Sequence, residues 1–266
     1  MMQMNRFICI GDTAMERDFN GYRLQPPPAT QWPNGARLAL SIVVNVEEGG
    51  ELSLSAGDER NEYVHEVVEE VVGVRDLLME SHFEYGVRRG WPRIRKALSS
   101  RGIKASVNAV GRSVETAPWI AQEAVSDGHE IMGHSYRWEA HTAMDEATER
   151  QAIVKTIAAI RNATGIAPVG WHTRSSASIN TRRLLAENGF LYDSNAYNDD
   201  LPYIVSVNEK PFVVVPYAFD TNDLKFTFRY GFSHGEDFYR YCADSFDRLY
   251  EESAEGPRMM SVGLHL

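Results

Sequence analysis

Apolar runs of strand length alternate with stretches of helical period along most of the 266 residues. Leu38–Val46, Ala105–Val110, Glu130–Gly133, Pro168–Thr173, Phe212–Pro216 and Met259–Leu264 read as strands. Between them, Trp91, Ile94 and Leu98 lie three and four apart, and Pro92 suits a first helical turn, so a helix is expected from about residue 91. A second helix is expected over 145–163, with Asp145 as its cap, Ile153, Ile157 and Ile160 as its apolar stripe and Gly165 as its end. A third is expected over 236–252, where Phe238, Cys242, Phe246 and Leu249 share a face, so Cys242 reads as core and not as a nucleophile. Repeated strand–helix alternation implies parallel strands joined by helical crossovers. This many units favour a (β/α) barrel over an open doubly wound sheet, and no Gly-x-Gly-x-x-Gly or P-loop spacing supports a nucleotide-binding open sheet.

Residues 1–36 read as a disordered leader, with Met15 as an alternative start, running into an extended arm stiffened by Pro26, Pro27, Pro28 and Pro33. Residues 37–266 are expected to form one domain. Two polar stretches interrupt the alternation: 49–82, whose Val-Val/Glu-Glu middle looks helical, and 191–210. In a barrel, such insertions cover the mouth of the site.

The formal net charge of -10 and the lack of any Lys/Arg block exclude a phosphate-backbone partner. Cys9 and Cys242 cannot build a disulfide framework, which favours a reducing compartment and the cytoplasm. No apolar run reaches the roughly 18 to 20 residues that span a bilayer, so no membrane partner is expected.

The polar residues with chemistry in them stand where the expected strands end. The first strand runs into Glu47 and Glu48, the third into His134, the Pro168–Thr173 strand into His172 and Arg174, and the last into His265. A barrel brings the carboxyl ends of its strands to one face. Two carboxylates, two or three histidines and an arginine would then share one pocket.

The segments Asn45–Glu51, Phe83–Gly86, Gly133–Trp138, Gly189–Ser194, Asp199–Tyr203, Asp220–Asp223 and Met259–His265, in this order, resemble the polysaccharide deacetylase family, and within it the allantoinase-like branch that opens cyclic ureides. The resemblance implies an α/β fold, an incomplete (β/α)7 barrel of the polysaccharide deacetylase type. In the deacetylases the first motif ends in two aspartates, a base and then a metal ligand; Glu47 and Glu48 stand in those places. The second motif carries two histidines four apart, of which His134 is present and the other is replaced by Trp138. Glu48 and His134 are therefore the metal ligands the resemblance offers, with the third missing, whereas a hydrolytic zinc takes about three. No firmly held cofactor is expected, and at most one weakly bound divalent metal such as zinc. His141 reads as a surface or loop residue and not as a replacement ligand. The tryptophan also occurs in the allantoinase-like branch.

The roles implied are Glu47 as general base, His265 as general acid, and His134 as partner of the attacked carbonyl or of Glu48, with Glu47 and Glu48 sharing a proton near neutral pH. Tyr85, Trp138, Arg174 and Asn45 are the expected substrate-binding residues. The expected function is hydrolysis of a non-peptide carbon–nitrogen bond in a small cyclic ureide or imide such as allantoin. The alternative is a metal-dependent N-deacetylase acting on chitooligosaccharide or peptidoglycan amino sugars, and a third reading is a binding protein on a retired enzyme scaffold that uses the aromatic-rich stretch 197–232. Two departures bear on substrate: Thr173–Ile179 differs in length and composition from the allantoinase-like pattern, and Asn195 stands where an aspartate is usual. Family members continue beyond the Leu-His motif into a further helix, whereas Leu266 ends this sequence. The apolar flank so exposed would be covered by a second subunit, so a homo-oligomer is expected.

Overall fold

The alternation folds into a curled eight-stranded sheet with helices packed on it. The computed structural model describes Phe19, Arg23 and residues 31–64, 69–227 and 230–266. Cys9, Met15 and most of the proline arm lie outside the described residues; Trp32, at its end, donates its indole N–H to the Arg258 carbonyl at 2.9 Å.

Strand β1 (Leu38–Val46) is followed by α1 (Leu77–Tyr85), a wide helical turn over Gly86–Gly90, α2 (Trp91–Ser99) and β2 (Ser106–Ala109). Then come α3 (Gly111–Thr116), α4 (Pro118–Ser126), β3 (Glu130–Gly133), α5 (Glu146–Thr164), β4 (Gly170–Trp171) and α6 (Thr181–Glu187). The chain ends with β5 (Tyr192–Asp193), β6 (Tyr203–Val207), β7 (Lys210–Val214), α7 (Gly235–Glu252) and β8 (Arg258–His265). The spatial order is β6-β7-β5-β4-β3-β2-β1-β8. Every neighbouring pair is parallel except β6 with β7. Seven parallel strands in an unclosed curl are the incomplete barrel expected.

Residues at the carboxyl end of β1, Val43 to Val46, are buried, as in a strand covered on both faces. One apolar core joins β1 and β2 to α2, α4 and α5 through Val44, Val107, Trp91, Ile120 and Ile160. A second joins Ile153, Trp171, Leu184 and Leu185 to Phe212 and Val214.

Helix α5 starts and stops where its sequence says. Asp145 accepts from the Thr148 N–H at 2.8 Å, and Gly165 closes the helix at φ +77°, a conformation that favours glycine. Three features differ from expectation. The stretch 191–210 is not a plain covering loop: it holds β5, too short to show a period, and β6, which forms a hairpin with β7. The Val-Val/Glu-Glu stretch carries no helix over the described residues 69–76, 65–68 lying outside them; the helix forms instead from Leu77, where Asp76 caps two N–H groups at 3.1 Å. Helix α7 runs as expected but has no fully buried residue, so Cys242 is half-buried and not core.

Candidate active site

Strand register explains why distant residues meet. Val46 pairs with Ala109, Ala109 with Gly133, Gly133 with Trp171, and Trp171 with Asp193. The next residues along these strands, Glu47, Val110, His134, His172 and Ser194, therefore stand at one height above the sheet. On the other side of β1, His265 pairs with Asn45. Glu47, Glu48, His134, His172, Arg174 and His265 line one open cavity of about 1100 Å³.

Glu47 is its hub. Its Oε1 lies 3.2 Å from His134 Nε2 and 3.7 Å from His265 Nε2, and its Oε2 accepts from Arg174 Nε at 2.9 Å. Burial alone would raise the Glu47 pKa, but the hydrogen bond and charge of His134, then the charges of Arg174 and His265, hold it far below the usual carboxylate range. His134 is fixed from behind, its Nδ1 2.7 Å from the His172 carbonyl oxygen. The following residue, Ser135, sits in the left-handed region at φ +66°, and its hydroxyl accepts the Arg174 N–H at 3.2 Å. The Arg174 guanidinium lies 3.9 Å from the centre of the Trp138 ring, whose indole N–H donates to the Glu47 carbonyl at 3.1 Å.

His265 is held by Asp223, which accepts its backbone N–H at 2.9 Å and meets Nδ1 at 2.6 Å. Burial lowers the His265 pKa, and the Asp223 hydrogen bond and the Glu47 and Asp223 charges outweigh it, so the net shift is upward. Glu48 behaves in the opposite sense to Glu47: burial first, with the Glu47 charge, pushes it up to about 7, against the backbone N–H groups that favour its ionised form. One of these is the Glu47 N–H, 3.1 Å from its Oε2. The two carboxylates therefore do not titrate alike. The wide turn at Gly86 lets the α1–α2 helix approach this pair, since any Cβ at Gly86 would collide with the Glu48 carboxylate.

The expected residues fare unequally. Glu47, Glu48, His134, His265, Trp138 and Arg174 come together. Tyr85 reaches only the rim, 55% exposed, with its hydroxyl accepting from Arg93 at 2.6 Å. Asn45 is buried with its amide engaged: Nδ2 donates to Tyr217 Oη and the Leu264 carbonyl, and Oδ1 accepts from Asn108. It supports the cavity floor in place of offering a free group to a substrate. His141 is neither a surface residue nor near Glu47: it is fully buried, 3.0 Å from Glu149.

Sequence reading missed Asp223 as the partner of His265, because it enters from a loop with no strand-end signal. Tyr217 directly follows the expected strand Phe212–Pro216 and was given no role, although the strand itself ends at Val214 and the Tyr217 hydroxyl meets Asn45. His172 had that signal but no role: its Nδ1 is 2.9 Å from the Ser194 carbonyl oxygen, and burial, with the charge of His134, lowers its pKa to about 3.

These residues do not fit a zinc centre. Among the described residues no three His, Cys, Asp or Glu side chains are grouped to hold a metal. Glu48 and His134 lack a third donor, position 138 offers an indole N–H that is already donated, and a guanidinium occupies one Glu47 oxygen.

Residues 77–192 match the polysaccharide deacetylase family model. A Schizosaccharomyces pombe protein assigned as a polysaccharide deacetylase is 37% identical over 273 residues, which cover 94% of this chain and 84% of that protein. The crystal structure of a Pseudomonas aeruginosa PAO1 protein assigned as a polysaccharide deacetylase superposes with a TM-score of 0.87 at 45% identity, covering 94% of this chain and 85% of that one. The crystal structure of PuuE allantoinase gives 0.86 at 42% identity, covering 94% and 84%.

Proposed function

From the chain's membership of the polysaccharide deacetylase family, we propose that it hydrolyses a non-peptide carbon–nitrogen bond by opening a cyclic ureide or imide. The observation that carries this reading is the Arg174–Trp138 platform against Glu47, where a metal-dependent deacetylase would need donors. The likeness to PuuE allantoinase supports it.

Glu47 acts as the base. Its carboxylate is ionised throughout the neutral range, and Arg174 and His134 aim its oxygens. Water adds to the ring carbonyl carbon as its proton passes to Glu47. The negative charge that builds on the carbonyl oxygen is met by Arg174 and His134. When the ring carbon–nitrogen bond breaks, the electron pair goes to nitrogen, and His265, held by Asp223, gives its Nε2 proton to it. The product is a ureido or amido acid. Glu48, whose ionisation falls near pH 7, sets part of the pH response.

Allantoin, hydantoin and dihydrouracil, offered to purified protein with and without a chelator, test this reading. Ring opening that survives the chelator is expected; no ring opening of any of them sinks it. A second reading, N-deacetylation of an amino sugar, is favoured by the assigned activity of the 45% and 37% identical relatives. It requires acetate release from chitooligosaccharides that the chelator abolishes. We place the reaction in the cytoplasm, on cysteine content alone, and expect self-association in solution, on the half-buried face of α7.

A further inference from the structure

Two polar groups of the cavity wall take no part in the steps above. His172 Nδ1 lies 2.9 Å from both the carbonyl oxygen and the hydroxyl of Ser194. A carbonyl oxygen only accepts, so the proton of the neutral ring sits on Nδ1 and Nε2 keeps its lone pair. Nε2 has no protein partner among the described residues, and His172 lines the cavity. On the adjoining strand end, Asn195 Oδ1 accepts the Thr173 N–H at 2.8 Å. That bond fixes which end of the amide is oxygen and leaves Nδ2, with its two N–H groups, without a protein partner among the described residues. Asn195 lines the same cavity, and β4 and β5, which precede the two residues, are hydrogen-bonded neighbours.

One lone pair beside one donor is the complement of a ring carbonyl beside a ring N–H. We propose that His172 and Asn195 form an acceptor–donor pair that selects substrates by a second –CO–NH– edge, away from the bond that is broken. The pair favours cyclic ureides over acetamido sugars. An acetamido group has one carbonyl, which the reaction consumes, whereas a cyclic ureide keeps another for Asn195 and a separate N–H for His172. An aspartate at 195 would keep the bond from Thr173 and lose the donor. This assignment rests on reading the cavity as that of a cyclic amide hydrolase.

The test uses hydantoin and its two N-methyl derivatives, with binding measured by calorimetry and turnover measured separately, on the whole protein and on His172→Leu, His172→Gln and Asn195→Asp. In the unaltered protein, methylation of one ring nitrogen is expected to weaken binding on the order of tenfold or more, because His172 Nε2 is left unpaired. In His172→Leu that penalty disappears. In His172→Gln, whose Oε1 can stand in for Nε2, part of it returns. Asn195→Asp weakens all three rings by a similar factor. Equal penalties in the unaltered protein and His172→Leu, or no binding of hydantoin at all, overturn the assignment. Selective binding without ring opening keeps it and overturns the hydrolase reading instead.

Discussion

The guanidinium of Arg174 rests 3.9 Å above the centre of the Trp138 ring. Trp138 stands where a deacetylase of this family carries a metal-binding histidine, and Arg174 reaches from the loop after β4 to Glu47 at 2.9 Å. A fixed cation thus stands beside the proposed base.

Arg174→Lys keeps the charge but loses the planar fork that both stacks and donates through Nε. The expected result is a fall in kcat of about tenfold to a hundredfold with the melting temperature little changed. Steady-state kinetics on the ring-opening substrate checks it.

Asp223→Asn removes the carboxylate on His265 Nδ1. Because Asp223 and Glu47 raise the His265 pKa, the protonated acid persists to higher pH in the unaltered protein. Activity should decline as pH rises through that value, and the declining limb should move to lower pH in Asp223→Asn. The same upward shift adds stability that is fully present below the unfolded histidine value of about 6.5 and is lost as pH rises through the folded value. A pH profile of kcat/KM on both proteins reads the shift.

Glu48→Gln should flatten a slope in stability. Glu48 is raised from an ordinary value of 4.5 to about 7, so its folded site disfavours the charge. The unaltered protein then loses stability as pH climbs from about 5 to 8, by up to roughly 3 kcal/mol. Glu48→Gln lacks that loss and should melt higher than the unaltered protein at pH 8, but not at pH 5. Melting temperatures at the two pH values decide it.

Glu149 is fully buried on α5 and joins three segments: His141 at 3.0 Å, Ser178 at 2.5 Å, and the hydroxyl of Thr181. This node anchors the loop that carries Arg174. Glu149→Ala leaves the fully buried His141 ring without its partner and releases the Ser178 and Thr181 hydroxyls from the carboxylate, and should cost about 3–5 kcal/mol, read as a lower denaturant midpoint.

Much of the fold was legible because periodicity is written locally. The stripe Ile153, Ile157, Ile160 with Asp145 and Gly165 defines α5, and β1 and β8 show as long apolar runs. The two-residue strands β4 and β5 are too short for a period, and their place is set by pairing with neighbours. The site was legible where residues follow strands, as at Glu47, His134 and His265. It was not legible where a loop supplies the partner: Asp223 joins His265 across 42 positions of sequence, and the engagement of Asn45 by Tyr217 depends on a contact 172 residues away. The division of labour between Glu47 and Glu48 is electrostatic, arising from which of them faces Arg174, His134 and His265.

The decisive measurement is the rate of ring opening by the unaltered protein and by Glu47→Gln, both freed of metal by chelation, with hydantoin binding followed in parallel. Ring opening that persists in the chelated unaltered protein and falls roughly a thousandfold in Glu47→Gln, while binding is retained, is the expected result. Ring opening that vanishes with the metal, or that proceeds equally fast without the Glu47 carboxylate, would contradict it.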